Sequence, residues 1–227
     1  MHYLQNLIEQ LDFSSMGAAF LRVAAVFLCL TIHETCHGLM ACALGDPTAK
    51  RMHRLSLNPL RHIDWFGLLM MFVCGFGWAK PVPVDMRYFK NPKRGMALTA
   101  LAGPASNFLL AILLLFICKG IYLYCRATTV WTTLFSFSLM TAVLSVGLGL
   151  FNLVPIPPLD GSKILAAALP DRAYVQLMRY ERYGMILLIL LSVTDIGGGA
   201  ISGAIGAVFH GLCGLCGVPE FYSLLYS

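Results

Sequence analysis

An all-α polytopic membrane protein with four to six transmembrane helices is the architecture to expect here, on three grounds. Of the 227 residues, 58% are apolar and only 12% charged, about half the charged share of an ordinary soluble domain. Mean hydropathy is +0.75. The apolar residues gather into runs at 17–44, 65–79, 96–118, 130–159, 175–194 and 196–218, against the ~20 residues a helix needs to cross the hydrocarbon core.

Taken in order, the first run follows MHYLQNLIEQLDFSS, which lacks a basic start and carries Glu9 and Asp12. It is therefore expected to stay in the mature protein as a span, not to be a cleavable signal. The second run is short and has basic residues at both ends, so it reads as a re-entrant hairpin bent at Gly75 and Gly77, with a full span as the alternative. The third and fourth runs make an outward and return pair. The fifth and sixth are divided only by Asp195 and a glycine triplet, which leaves the span count at four to six. The length suits a single integral-membrane domain over residues 1–227.

The net charge of +5 belongs to residues that flank the apolar runs. Anionic lipid and membrane orientation account for that pattern, and nucleic acid is not an expected partner. Of the 16 Lys and Arg residues, all but Arg22, Lys119 and Arg126 fall within 46–64, 80–95 and 160–182. Placing those blocks in the cytoplasm puts the amino terminus outside and runs the first span inward. The eight cysteines lie mostly inside apolar runs, which suits packing better than a disulfide framework. Cys213 and Cys216 form one CxxC, read as close helix packing in preference to a metal or redox site.

Polarity interrupts the first run at TIHETCHG, residues 31–38. On a helix His33 and His37 project from one face, and Glu34 lies about 100° round from His33. In this HExxH arrangement two neutral imidazoles hold zinc and the carboxylate takes a proton from water at the metal. Ionisable groups at membrane depth are costly and mark function more often than a self-satisfied polar knot.

A catalytic zinc takes three protein ligands and keeps one position open. The extended soluble pattern fails, because Met40 and Ala43 stand where it requires Gly and His, and no Glu occurs between Glu34 and Glu181. Asp46, Asp64, Asp85 and Asp160 remain, with His53 and His62 behind them and Asp171 and Asp195 lower still. Asp160 ranks first. It ends FNLVPIPPLDG, where three prolines prevent a regular helix and Gly161 permits a sharp turn just beyond the carboxylate. Unwound backbone at that depth is tolerated only when buried in protein or lining a watery cavity. Orientation agrees: His33 lies about 16 Å from the inner end of the first run, and Asp160 closes the inner end of the fourth. Asp64 and Asp85 stand beside basic residues, where solvated charge is the better account.

These residues resemble the site-2 proteases, intramembrane zinc metalloproteases, in the compact bacterial branch without a PDZ or CBS domain. HETCH matches the HExxH motif, NLVPIPPLDG at 152–161 matches the second motif with Asp160 in the ligand position, and LAGPASN at 101–107 resembles a GPxxN signature on an intervening helix. GWAKPVPV at 77–84 is also similar to that branch. The resemblance spans roughly residues 21–183. It departs from longer relatives in lacking a helix before the HExxH helix.

The resemblance implies one Zn²⁺ per chain on His33, His37 and Asp160, with Glu34 as general base and Asn152 contacting substrate or the developing oxyanion. It implies a transmembrane-helix substrate in the cell membrane, a membrane-tethered regulator or a signal-peptide remnant. Asn107, with Gly103 and Pro104, is expected to shape helix packing around the site. A helical substrate must unwind before water can attack, so an edge-like backbone surface is required, and Gly75–Val84 is the candidate. Two other readings compete: a metal-binding membrane transporter or sensor without proteolysis, and an inactive relative that only binds helices. Transport needs polar residues along a path across the bilayer, and the third and fourth runs carry no charge before Asp160.

Overall fold

The computed structural model describes residues 16–67, 79–126, 128–170, 172–174, 177, 184 and 198–226. Its helices are α1 (Met16–Ala43), α2 (Thr48–Arg51), α3 (Pro92–Tyr124), α4 (Thr129–Leu153), α5 (Asp160–Ala168), α6 (Gly198–Leu215) and α7 (Glu220–Tyr226), with 3-10 turns at Pro59–Arg61 and Met86–Tyr88. Among the described residues, three stretches, Ala19–Ala43, Pro92–Tyr124 and Thr129–Leu153, are long and apolar enough to cross a membrane. They correspond to the first, third and fourth apolar runs. The sixth run contains α6, which is apolar but shorter. No strand forms among the described residues. The bend expected at Gly75 and Gly77, and almost all of the fifth run, lie outside them.

Local sequence sets the helix ends that matter for the site. Pro92 opens α3, where its missing N–H costs nothing, and the Asn91 side chain accepts from the Arg94 amide at 3.2 Å. Gly45, at φ +106°, ends α1 with a pair of closing hydrogen bonds, Asp46 N to Ala41 O at 2.9 Å and Gly45 N to Cys42 O at 3.1 Å. This is the glycine-terminated reversal that only a residue without Cβ adopts freely. It delivers Asp46 directly beneath the helix end.

Two compact units divide the chain. One comprises Leu30–Ser106 and Phe151–Ile196. In it the buried Asp46 carboxylate accepts from the Thr48 and Asp85 amides at 2.9 and 2.7 Å, tying the turn after α1 to the start of the second 3-10 turn. An isolated antiparallel bridge pairs Ile63 with Ala79. Gly38 lets the same region close on α1, since a Cβ there would sit 2.5 Å from Leu55 Cδ2 and 3.0 Å from Val82 Cγ1.

The other unit comprises Met1–Cys29, Asn107–Leu150 and Gly197–Ser227. Its core holds the fully buried Phe209 and Phe221, and the Phe221 ring meets Tyr122 and Phe135 edge-on at 5.6 and 5.1 Å. Ser145 Oγ donates to the Asn107 carbonyl at 2.8 Å, and Lys119 Nζ to that of Cys216, also at 2.8 Å. Cys213 and Cys216 are buried free thiols, in keeping with a packing role.

Candidate metal centre

His33 and His37 stand one turn apart on α1, with ring planes nearly perpendicular and centroids 4.5 Å apart. Their Nε2 atoms are 2.9 Å from each other. Asp160, the first residue of α5, brings Oδ2 to 3.1 Å from His33 Nε2 and 3.0 Å from His37 Nε2. All three side chains are buried. Among the described residues they form a cluster able to hold a metal, and Glu34 is not in it.

The donor chemistry fits a cation. His37 Nδ1 lies 2.6 Å from the Thr99 carbonyl oxygen, which can only accept, so Nδ1 carries the hydrogen and Nε2 of the neutral ring presents its lone pair inward. That lone pair faces a carboxylate oxygen and a second imidazole nitrogen, an arrangement that repels itself unless a proton or cation sits between. For a tetrahedral zinc with Zn–N of ~2.1 Å, neighbouring ligand atoms are ~3.4 Å apart. The observed triangle, with edges of 2.9–3.1 Å, is slightly tighter than that. Lys163 Nζ, one turn along α5, stays 3.6 Å from the other Asp160 oxygen and leaves Oδ2 to the centre.

Two glycines are sterically obligatory. A Cβ on Gly103 of α3 would lie 2.5 Å from His37 Nε2 and 2.6 Å from His33 Cε1. The glycine of LAGPASN therefore exists to let α3 pass across the imidazoles. A Cβ on Gly161 would run into the Leu153 carbonyl and sit 2.6 Å from Val154 O. Gly161 has no positive φ. The sharp turn expected from its freedom is thus corrected: it is needed because the backbone leaving α4 passes directly over the start of α5.

Glu34, half-buried and next to His33, accepts a hydrogen bond on Oε2 from the Val82 amide at 2.9 Å. Residues 79–84 are thereby brought against α1, whereas residues 75–78 of the proposed edge lie outside the described residues. Asn152 occupies the last turn of α4, half-buried and helical.

The remaining ligand candidates are engaged elsewhere. Asp46 anchors backbone amides, Asp64 accepts from the Gly67 amide at 2.9 Å, and His62 Nε2 bonds to the Ser56 carbonyl at 2.8 Å. His53 is exposed. Asp85 is paired with Arg87 at 2.6 Å, and the hydrogen bond from that guanidinium holds its carboxyl below the ordinary range. Asp171 and Asp195 lie outside the described residues. Sequence reasoning missed the Thr99 carbonyl and the Val82 amide. Both are backbone groups, and only the PVP pattern at 81–83, with one N–H in three residues, hinted at the second.

Comparison with known proteins points to a family of zinc metalloproteases. The model of peptidase family M50 matches residues 120–193. A Bacillus subtilis protein named "Putative zinc metalloprotease YwhC" is 38% identical over 77% of this chain and 81% of its own. Proteins named "Putative zinc metalloprotease Rip2" are 28% identical in Mycolicibacterium smegmatis, over 80% of this chain and 70% of theirs, and 26% identical in Mycobacterium tuberculosis, over 90% and 77%. No solved structure gives a significant match. With identity of 38% sustained over four fifths of a relative, the chain belongs to peptidase family M50, the site-2 proteases.

Proposed function

We propose that the chain is an intramembrane zinc metalloendopeptidase that hydrolyses a peptide bond within or near a transmembrane helix of a membrane-protein substrate. One observation carries this reading: His33 Nε2, His37 Nε2 and Asp160 Oδ2 converge within about 3 Å of one another, and the two histidines share with Glu34 an apolar helix of membrane-crossing length.

His33, His37 and Asp160 hold Zn²⁺, one ion per chain. When bound, Zn²⁺ acts as a Lewis acid that polarises the scissile carbonyl and acidifies water. Glu34 accepts the proton from attacking water and delivers it to the leaving amine. The Thr99 carbonyl keeps His37 in the tautomer that points its lone pair inward. Asn152, in the last turn of α4, hydrogen-bonds substrate or the developing oxyanion.

The basic blocks at 46–64, 80–95 and 160–182 support an amino terminus outside, an active site opening toward the cytoplasm, and four to six spans with a re-entrant hairpin at 65–79 in the cell membrane. A membrane-tethered regulator cut by regulated intramembrane proteolysis, or a signal-peptide remnant, fits that placement. In proteoliposomes with a single-span substrate, Glu34→Gln should retain zinc while cleavage falls by about 10²–10⁴-fold, the scale of a lost general base. Full cleavage by that variant would overturn the mechanism.

A further inference from the structure

We infer that the backbone N–H of Val82 positions the Glu34 carboxylate, and that Arg54 and Asp46 are the positioning residues that hold Val82 in place. The inference rests on the reading of Glu34 as the base. Glu34 and Gly38 lie one turn apart on α1, on the same face. Val82 spans both: its N–H donates to Glu34 Oε2 at 2.9 Å, and its Cγ1 lies 3.0 Å from where a Cβ on Gly38 would stand. The Val82 side chain is buried, at 7% exposure.

The chain is fastened on either side of this contact. Upstream, Arg54 Nη2 donates to the carbonyls of Lys80 at 2.8 Å and Pro81 at 3.2 Å, and the Lys80 amide donates to His62 O at 2.9 Å. Downstream, the fully buried Asp46 accepts from the Asp85 amide at 2.7 Å while its other oxygen takes the Thr48 amide and hydroxyl. Pro81 and Pro83 fix their own φ and bias Lys80 and Val82 toward extended backbone. Between two prolines, Val82 has the one N–H available, and it is aimed at the base. A glutamate has three rotatable bonds. Fixing Oε2 on a rigid strap selects one rotamer and assigns Oε1 to the proton that moves. Both anchors come from the segment that follows α1, so the helix carrying the base and the two histidine ligands leads directly into the fastening of the strap.

Hydrogen exchange tests this on the full chain in detergent, with no turnover needed. Residues 81–84 contain two backbone amides, those of Val82 and Val84, because the other two residues are proline. The Val82 amide should be protected in the wild type and exchange at least about tenfold faster in Glu34→Ala and in Arg54→Ala, as a locally opened hydrogen bond does. In kinetics, Val82→Pro, which deletes the N–H, should fall about 10²-fold below Val82→Ala, which keeps it, the scale of a misplaced catalytic group. The loss should sit in kcat, with KM and zinc content matched between the two. Unchanged Val82 exchange in Glu34→Ala would overturn the inference. So would equal kcat in the two Val82 variants, or a faster Val82→Pro, which would make the bond a restraint. The exchange arm counts against the strap alone, whereas an inactive wild type counts against the proteolytic reading alone.

Discussion

His37 Nδ1 lies 2.6 Å from the Thr99 carbonyl oxygen, and through that bond α3 dictates which nitrogen of a residue on α1 is free to bind an ion. A carbonyl cannot donate, so the tautomer follows without reference to any metal. The consequence is a centre in which the Nε2 lone pair of the neutral His37 ring faces a carboxylate oxygen at 3.0 Å and calls for a cation between them.

Such a centre should be measurably less stable when emptied. Stripping the metal with a chelator should lower the melting temperature, and restoring Zn²⁺ to a hundred times its Kd should return about 2.7 kcal/mol. In Asp160→Ala the same titration should shift melting little, because one of the three ligands is missing. Metal analysis should show bound zinc well below one per chain. A full zinc-dependent shift in Asp160→Ala would require a different third ligand.

Two glycines of one helix should respond in opposite directions. Gly103→Ala places a methyl against the ring atoms of His37 and His33, whereas a Cβ at Gly120 meets nothing within 4 Å. Overpacking of this kind costs about 1–3 kcal/mol, and displaced imidazoles should also lose zinc. Gly120→Ala, free of contacts in the same helix, should gain up to about 1 kcal/mol from the lower backbone entropy of alanine. Thermal melting and zinc stoichiometry of the pair check both signs.

A transporter and a protease use the same ligands differently. Across α4 there is no charged side chain to carry an ion. Proteoliposomes loaded with a zinc-sensitive dye should therefore show no accumulation above protein-free vesicles, for the wild type and for Glu34→Gln alike. Uptake by both proteins, with no cleavage by either, would favour transport.

Much of this centre was legible in the sequence because its ligands are side chains with strong positional signatures. His33 and His37 share a helix face by spacing, and Asp160 was singled out by the prolines before it. The long helices were legible for a similar reason, since α3 and α4 carry long apolar stretches and α1 is apolar apart from Arg22 and the motif itself. What escaped were backbone groups, the Thr99 carbonyl and the Val82 amide, because every residue has them and only the fold decides which are aimed at the site. Asp46 stayed among the ligand candidates for a related reason. A lone carboxylate near the motif can serve as a ligand, yet the Thr48 amide and hydroxyl and the Asp85 amide claim it once Gly45 has turned the chain.

Gly161 supplies the sharpest test of how the second motif works. In a helix, alanine is intrinsically preferred to glycine by roughly 0.5–1 kcal/mol, so propensity alone makes Gly161→Ala stabilising. The structure argues the reverse. The added methyl would meet the carbonyl groups of Leu153 and Val154. These are backbone atoms at the end of a membrane-length helix, so the clash cannot be relieved by turning a side chain. The part free to move is the first turn of α5, and Asp160 is its first residue. Gly161→Ala should therefore lower both the melting temperature and the zinc content, with cleavage falling in parallel with zinc. Asp160→Ala should mimic the zinc loss without the clash. If Gly161→Ala melted higher and kept its zinc, the close passage of the α4 exit over α5 would be wrong, and the glycine of the second motif would need another explanation.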